Sequence, residues 1–248
     1  MEPHGFTIKK DKDMIYDTVI AISLERRKDR RNRLEKHLKE RGFKNVYYLP
    51  AFDGGKITPG VVSIVPPHRP YFSFKDELTR TPTNKLNRFQ IGCTISHITA
   101  LKVAKMLGST TALIVEDDVE FVENIQEVLQ NVETEVKDLD WEHIYLGGRV
   151  RKNWGAPDQE KITEHLYTSG YTDGLHAYLV NGKGFDKIAN AMFSFKTTND
   201  DAVNDIMFQK ENPLRAYMYL PKAAFQIEDF SELDREVVNR IGLRTKDE

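Results

Sequence analysis

Only one cysteine, Cys93, occurs in the 248 residues. An intramolecular disulfide and a cysteine-rich zinc site are both excluded, and Cys93 reads as a small residue of the core. No apolar run approaches the roughly 20 residues of a membrane-spanning helix. The start, Met1-Glu2-Pro3-His4-Gly5-Phe6, lacks the charged-then-apolar layout of a signal peptide. There is no Asn-x-Ser/Thr sequon, so a cytoplasmic location is expected. The phosphate loops Gly-x-Gly-x-x-Gly and Gly-x4-Gly-Lys-Ser/Thr are missing, as is a Gly-x-Ser-x-Gly elbow. A net charge of −2 gives no global pull toward nucleic acid or an anionic membrane. Repeats and low-complexity stretches are absent too.

What is present is an ordinary globular composition, 40% hydrophobic and 30% charged, long enough for one large domain. A polar leader (1–16) precedes the apolar run Thr18 to Ser23, suited to a central parallel strand. A helix is predicted over 29–41, with Asp29 as N-cap, Leu34 and Leu38 one turn apart, and Gly42 as the stop. A strand at 46–49 ends in the turn Asp53-Gly54-Gly55.

Residues 56–88 show no sustained period. They carry Pro66, Pro67, Pro70 and Pro82 beside Tyr71, Phe72 and Phe74, and read as a long loop or lid. Helical spacing returns over 91–107, followed by the strand 113–116 and a helix near 122–137. Strands at 144–146, 177–180 and 215–220, helices near 183–195 and 201–210, an irregular stretch 147–173 and a tail 235–248 complete the reading. Strands alternating with helices imply an α/β fold with a mainly parallel sheet flanked by helices in a single domain. Ligands of such sheets bind beyond the carboxyl ends of the strands.

The sharpest signal lies at such an end. Leu113-Ile114-Val115 runs straight into Glu116-Asp117-Asp118. Three adjacent carboxylates repel one another, which a hard divalent cation relieves, and such a cation can hold a diphosphate. From Glu25 to Lys44, ten Lys or Arg face four Asp or Glu. Arg26 and Arg30, nearest the first strand, are best placed to face a ligand, the others being solvated. Ser96 and His97 are adjacent in a helix and do not face each other as nucleophile and base. His97 reads as a hydrogen-bonded structural histidine, and His143 and His176 stay ambiguous. Asp200-Asp201 reads first as a helix cap.

Together these segments resemble glycosyltransferase family 25, which includes bacterial lipooligosaccharide and collagen galactosyltransferases. Val19 to Arg31 is similar to its Asn-Leu-x-Arg-x-x-Asp-Arg-Arg segment, with Ser23 in place of Asn. Ala51-Phe52-Asp53-Gly54 resembles Ala-Val-Asp-Gly. Ile91 to His97 resembles Ile-Gly-Cys-x-x-Ser-His, with Gln90 where the family has Glu. Leu113 to Val119 matches Leu-Ile-x-Glu-Asp-Asp-Val, and Trp141 to Gly147 the Trp-Asp-x-Ile-Tyr-x-Gly strand. Asp201 falls at the family's Pro-Val-Asp without the Pro-Val, and Glu232 replaces a late Asp.

The resemblance implies a GT-A type fold and inverting transfer from a nucleotide diphosphate sugar, UDP-galactose or UDP-glucose, to a hydroxyl of a glycan, glycolipid or protein. It implies Mn²⁺ or Mg²⁺ on Asp118 with Glu116. It places Ser23, Leu24, Arg26, Arg30, Asp53, Ser96, His97, Glu116 and Asp117 around the donor, with Asp201 as the base. Two rivals are a non-catalytic nucleotide-binding or interaction domain of the same fold, and a metal-dependent nucleotidyl- or phosphotransferase using the same carboxylates.

Overall fold

The computed structural model describes residues 14–57, 86–151 and 157–227 and the strands Asp229–Ser231 and Glu236–Val238. The proposed lid, apart from its ends, lies outside the described residues, as do Glu232 and most of the leader. The chain runs β1 (Thr18–Ser23), α1 (Lys28–Glu40), β2 (Val46–Pro50), a 3₁₀ turn (Gly54–Lys56), α2 (Arg88–Met106), β3 (Thr111–Glu116) and β4 (Val119–Phe121). There follow α3 (Ile125–Glu135), β5 (His143–Tyr145), β6 (Arg149–Val150), β7 (Leu166–Thr168), β8 (Thr172–Asp173) and β9 (Ala177–Asn181). The remainder is α4 (Gly182–Phe193), α5 (Asn199–Met207), β10 (Ala216–Tyr219), β11 (Ala224–Gln226) and the hairpin β12 (Asp229–Ser231) and β13 (Glu236–Val238).

Seven strands form the main sheet in the order β2-β1-β3-β9-β5-β10-β7. Five point the same way; β9 inside the sheet and β7 at its edge run against them. The sheet is buried on both faces because alternate residues of each strand pack in opposite directions. Val19, Ala21, Leu113 and Val115 meet the Leu34 and Leu38 stripe of α1 and the Ile125, Leu129 and Val132 stripe of α3. Ile20, Ile22, Ala112 and Ile114 meet Ala100, Leu101 and Ala104 of α2 and Phe185 and Ile188 of α4. The α/β reading with helices on both faces holds.

Several local expectations change. Asp29 is not the N-cap of α1: Arg27 stands there without a side-chain cap bond, and Asp29 sits in the first turn, paired to Arg27 at 2.8 Å. Gly42 does stop the helix, at φ +77°. The stretch 147–173 contains three short strands, and β4, not expected, pairs with β11 from the far end of the chain. Neither Asp200 nor Asp201 caps α5; the Thr198 side chain accepts from the Asp201 N–H.

Two contacts fix where α2 begins. Asn87 accepts from the Phe89 and Gln90 amides while the Gln90 side chain accepts from the Asn87 amide, a reciprocal capping box. Gln90, standing where the resembled family has Glu, thus completes the cap. The helix also rests directly on the turn 52–54. A Cβ on Gly92 would lie 2.7 Å from the Phe52 carbonyl oxygen, and one on Gly54 would lie 2.5 Å from that of Arg88. Only paired glycines let the two backbones approach so closely.

Candidate functional site

The carboxyl ends of β1 and β3 and the start of the reversed β9 meet at one edge, with Ile22 opposite Glu116 and Val115 opposite Ala177. Reversal of β9 brings its leading residues, Gly174 to His176, to the same edge as the acidic cluster. The Glu116 amide donates to the His176 carbonyl at 3.0 Å.

The three acids diverge. Glu116, its side chain 24% exposed, contacts His97 Nε2 at 3.1 Å. His97 is fully buried, and its Nδ1 lies 3.2 Å from the Tyr178 hydroxyl. Asp117 turns toward α1, where the buried Arg30 guanidinium pairs with its carboxylate at 3.2 Å and Arg33 donates to its carbonyl at 3.3 Å. Burial pushes the Asp117 carboxyl up even so, with Arg30 opposing.

Asp118 has less help. Gln226, 108 residues away, donates to Oδ2 at 3.2 Å, and the Ile227 amide donates to the Asp118 carbonyl at 2.9 Å. Buried Oδ1 has no hydrogen-bond partner among the described residues. Burial and then the charges of Glu116 and Asp117 push this carboxyl up to about 7. A buried oxygen without a donor, in a surplus of negative charge, is the environment a hard cation completes, and carboxylate oxygens are the ligands Mg²⁺ and Mn²⁺ take. The residues fit such an ion.

The resemblance-derived positions divide. Ser23 is buried at the end of β1, and Leu24 opens the turn that follows, its carbonyl accepting from Arg27. Arg26, 43% exposed, pairs with Asp53 at 3.0 Å, and Asp53 also accepts from the Gly55 amide. These follow directly on the carboxyl end of β1 or pair with the residues that do. Ser96 differs: its buried hydroxyl donates to the Gly92 carbonyl and accepts from the Phe52 amide, locking α2 to the turn 52–54.

The two acids of α5 also separate. Asp201 accepts from the Tyr171 hydroxyl at 2.9 Å and faces Arg151 at 3.6 Å, within a rim where Arg149 and Arg151 also hold Asp173. Asp200 instead accepts the Gly174 amide at 3.0 Å. Burial, and beyond it the charges of Glu116 and Asp173, push its carboxyl up to about 6, while the Gly174 bond and His97 oppose. Asp200 therefore feels both Glu116 of the acidic cluster and Asp173 of the rim, while Asp201 is held within the rim.

The sequence pointed to Asp200 only as a helix cap and to Cys93 only as a core residue, and gave no signal for Gln226 or Tyr178. A signal for Cys93 existed: with His97 it occupies i and i+4 of one helix, on the same face.

A family model described as "Glycosyltransferase family 25 (LPS biosynthesis protein)" matches residues 16–172. The chain belongs to glycosyltransferase family 25. Procollagen galactosyltransferase 2 of Mus musculus is 28% identical over 230 residues, covering 88% of this chain and 35% of that protein. A "Probable inactive glycosyltransferase 25 family member 3" of Bos taurus is 30% identical over 190 residues, covering 73% of this chain and 30% of its own length. The chain thus spans about a third of the curated relatives it matches. Among solved structures, a glycosyltransferase involved in glycosylation of the major capsid of PBCV-1 is a distant likeness, with TM-score 0.45 and 12% identity over 82% of this chain and 81% of that one. Among the described residues no helix is long and apolar enough to cross a membrane.

Proposed function

We propose that this member of family 25 is a metal-dependent inverting glycosyltransferase that moves a hexose from a UDP-sugar, UDP-galactose or UDP-glucose, to a hydroxyl of a glycan, glycolipid or protein. The observation that carries the reading is the unpartnered, buried Oδ1 of Asp118 at the carboxyl end of β3. Asp118 and Glu116 would hold Mn²⁺ or Mg²⁺, which when bound neutralises charge on the diphosphate leaving group.

The chain's own residues do the rest. Arg30 holds Asp117 against α1 and offsets part of its charge. Ser23 and Leu24 offer the end of β1 to the nucleoside, with the Arg26–Asp53 pair beside them. His97, braced by Tyr178, holds the Glu116 carboxylate in place. An inverting displacement needs a base for the acceptor hydroxyl proton. The sequence assigned this to Asp201, whose carboxylate is engaged by Tyr171 and Arg151; Asp200, one residue earlier, accepts the Gly174 amide and has its carboxyl pushed up toward neutral pH, and is the base this reading favours. Asp201 then anchors α5 to Tyr171 and Arg151.

Turnover separates this reading from its rivals. Chain, Mn²⁺ and UDP-galactose or UDP-glucose should release UDP with a glycan or hydroxylysine-peptide acceptor, and chelator should stop it. Release of pyrophosphate from a nucleoside triphosphate instead would favour a nucleotidyltransferase. Saturable UDP-sugar binding with no release across acceptors would favour the non-catalytic domain, which the inactive designation of one relative keeps in view.

A further inference from the structure

Cys93 and His97 lie one turn apart on α2 and both approach the end of β3. The Cys93 sulfur, a ring nitrogen of His97 and a carboxylate oxygen of Glu116 all lie within 4.8 Å of one another. We propose that these three side chains form a second cation site, selective for a thiophilic divalent ion such as Zn²⁺ or Co²⁺ and sharing Glu116 with the hard-ion position at Asp118.

The donor set makes the distinction. Thiolate and imidazole are poor ligands for Mg²⁺ or Mn²⁺ and favoured ones for Zn²⁺. Three protein ligands leave the fourth tetrahedral position open. Metal–sulfur and metal–nitrogen bonds of about 2.3 and 2.1 Å place such ligand atoms roughly 3.5 Å apart. His97 Nε2 and Glu116 already stand at 3.1 Å, so rotation of the Cys93 side chain is the adjustment that closes the site.

The surroundings support each ligand in turn. The Tyr178 hydroxyl engages His97 Nδ1, which orients the ring with Nε2 toward Glu116, as second partners of metal-bound histidines do. Asn199 at the start of α5 donates its amide N–H to the Cys93 sulfur at 3.5 Å, a contact that favours thiolate. Without a cation, burial and the charges of Glu116, Asp200 and Asp118 keep the thiol protonated. On binding, the metal–sulfur bond forms as the S–H bond breaks, and the proton passes to solvent. Entry is from the side of Cys93 and Glu116, the two partly exposed members.

The inference stands whether or not the chain transfers a sugar. Only its consequence rests on the transferase reading: an ion held by Glu116 here removes Glu116 from the donor metal, so Zn²⁺ should antagonise Mn²⁺.

Cobalt titration of the whole chain tests it. Since Cys93 is the only cysteine, a thiolate-to-cobalt charge-transfer band saturating at one Co²⁺ per chain can come from no other residue. The band should vanish on adding Zn²⁺ and be absent in Cys93→Ser. Tyr178→Phe should weaken Co²⁺ binding about 10–100-fold. Co²⁺ binding without a charge-transfer band overturns the proposal, as does a band undiminished in a folded Cys93→Ser. The wild-type spectrum decides even where a variant misfolds.

Discussion

Two acidic neighbourhoods lie side by side at one end of the sheet and are built on opposite plans. In the rim, Asp173 and Asp201 meet Arg149, Arg151 and the Tyr171 hydroxyl, and the Arg151 guanidinium also lies over the Tyr171 ring. Charge there is matched within the protein. In the cluster, Glu116, Asp118 and Asp200 share His97, Gln226 and a backbone amide, and two of the carboxyls are pushed far up. Matched charge holds the β6–β8 strand pair to α5; unmatched charge costs stability unless a ligand completes it. The contrast separates charge satisfied within the protein from charge that the proposed cation would complete.

The strongest way to break this contrast is Asp118→Asn. Transfer should fall by roughly 10³-fold or more, several kcal/mol of lost charge stabilisation, measured as UDP release with saturating Mn²⁺. The folded carboxyl titrates at about 7 against 3.8 for the free group. Its stability contribution is therefore complete below pH 3.8 and lost as pH rises through 7. Metal-free Asp118→Asn should melt above wild type at pH 8 and alongside it at pH 4. Equal melting at both values would mean the cluster is not under strain.

Asp200→Asn tests the same contrast through turnover: a fall of about 10²–10⁴-fold with donor binding retained. Asp201→Asn should cost less than about tenfold, since only its anchoring role is lost. The reverse ranking would return the base to Asp201.

Gly92→Ala probes what brings α2 to the cluster. Its Cβ would press on the Phe52 carbonyl oxygen and the Gly54 amide, and the overpacking should cost about 1–3 kcal/mol in denaturant unfolding.

His143, beneath the cluster, is fully buried and stacked on Tyr178 at 4.8 Å, and burial lowers its pKa to about 3. Folding favours the neutral ring, so this contribution is full above pH 6.5 and is lost as pH falls toward 3. Between pH 7 and 5 wild type should lose about 2 kcal/mol more than His143→Phe, at about 1.4 kcal/mol per pH unit.

Smallest of all is Gln90→Glu. Either side chain completes the capping box, so stability should change by less than about 0.5 kcal/mol.

How much of this was legible follows from how local each signal is. β1, α1, α2 and β3 could be read because long apolar runs and i,i+4 stripes are local patterns. The strands β6, β7 and β8, two or three residues each, are too short to carry a period. Reversal of β9 was hidden because a buried apolar run reads the same in either direction. Asp200 and Asp201 differ by one step around a helix, and only the packing of α5 decides which meets the Gly174 amide and which meets Tyr171 and Arg151.

From its sequence alone the chain had its layered α/β class, the carboxylate cluster at a strand end and the family motifs, because periodicity and contiguous residues need no partner to be recognised. Tertiary structure decided which charges are matched. Gln226 reaches Asp118 across 108 residues, Arg30 reaches Asp117 across 87, and Tyr178 braces His97 across 81. A carboxylate's role depends on what surrounds it, and those surroundings are assembled by the fold.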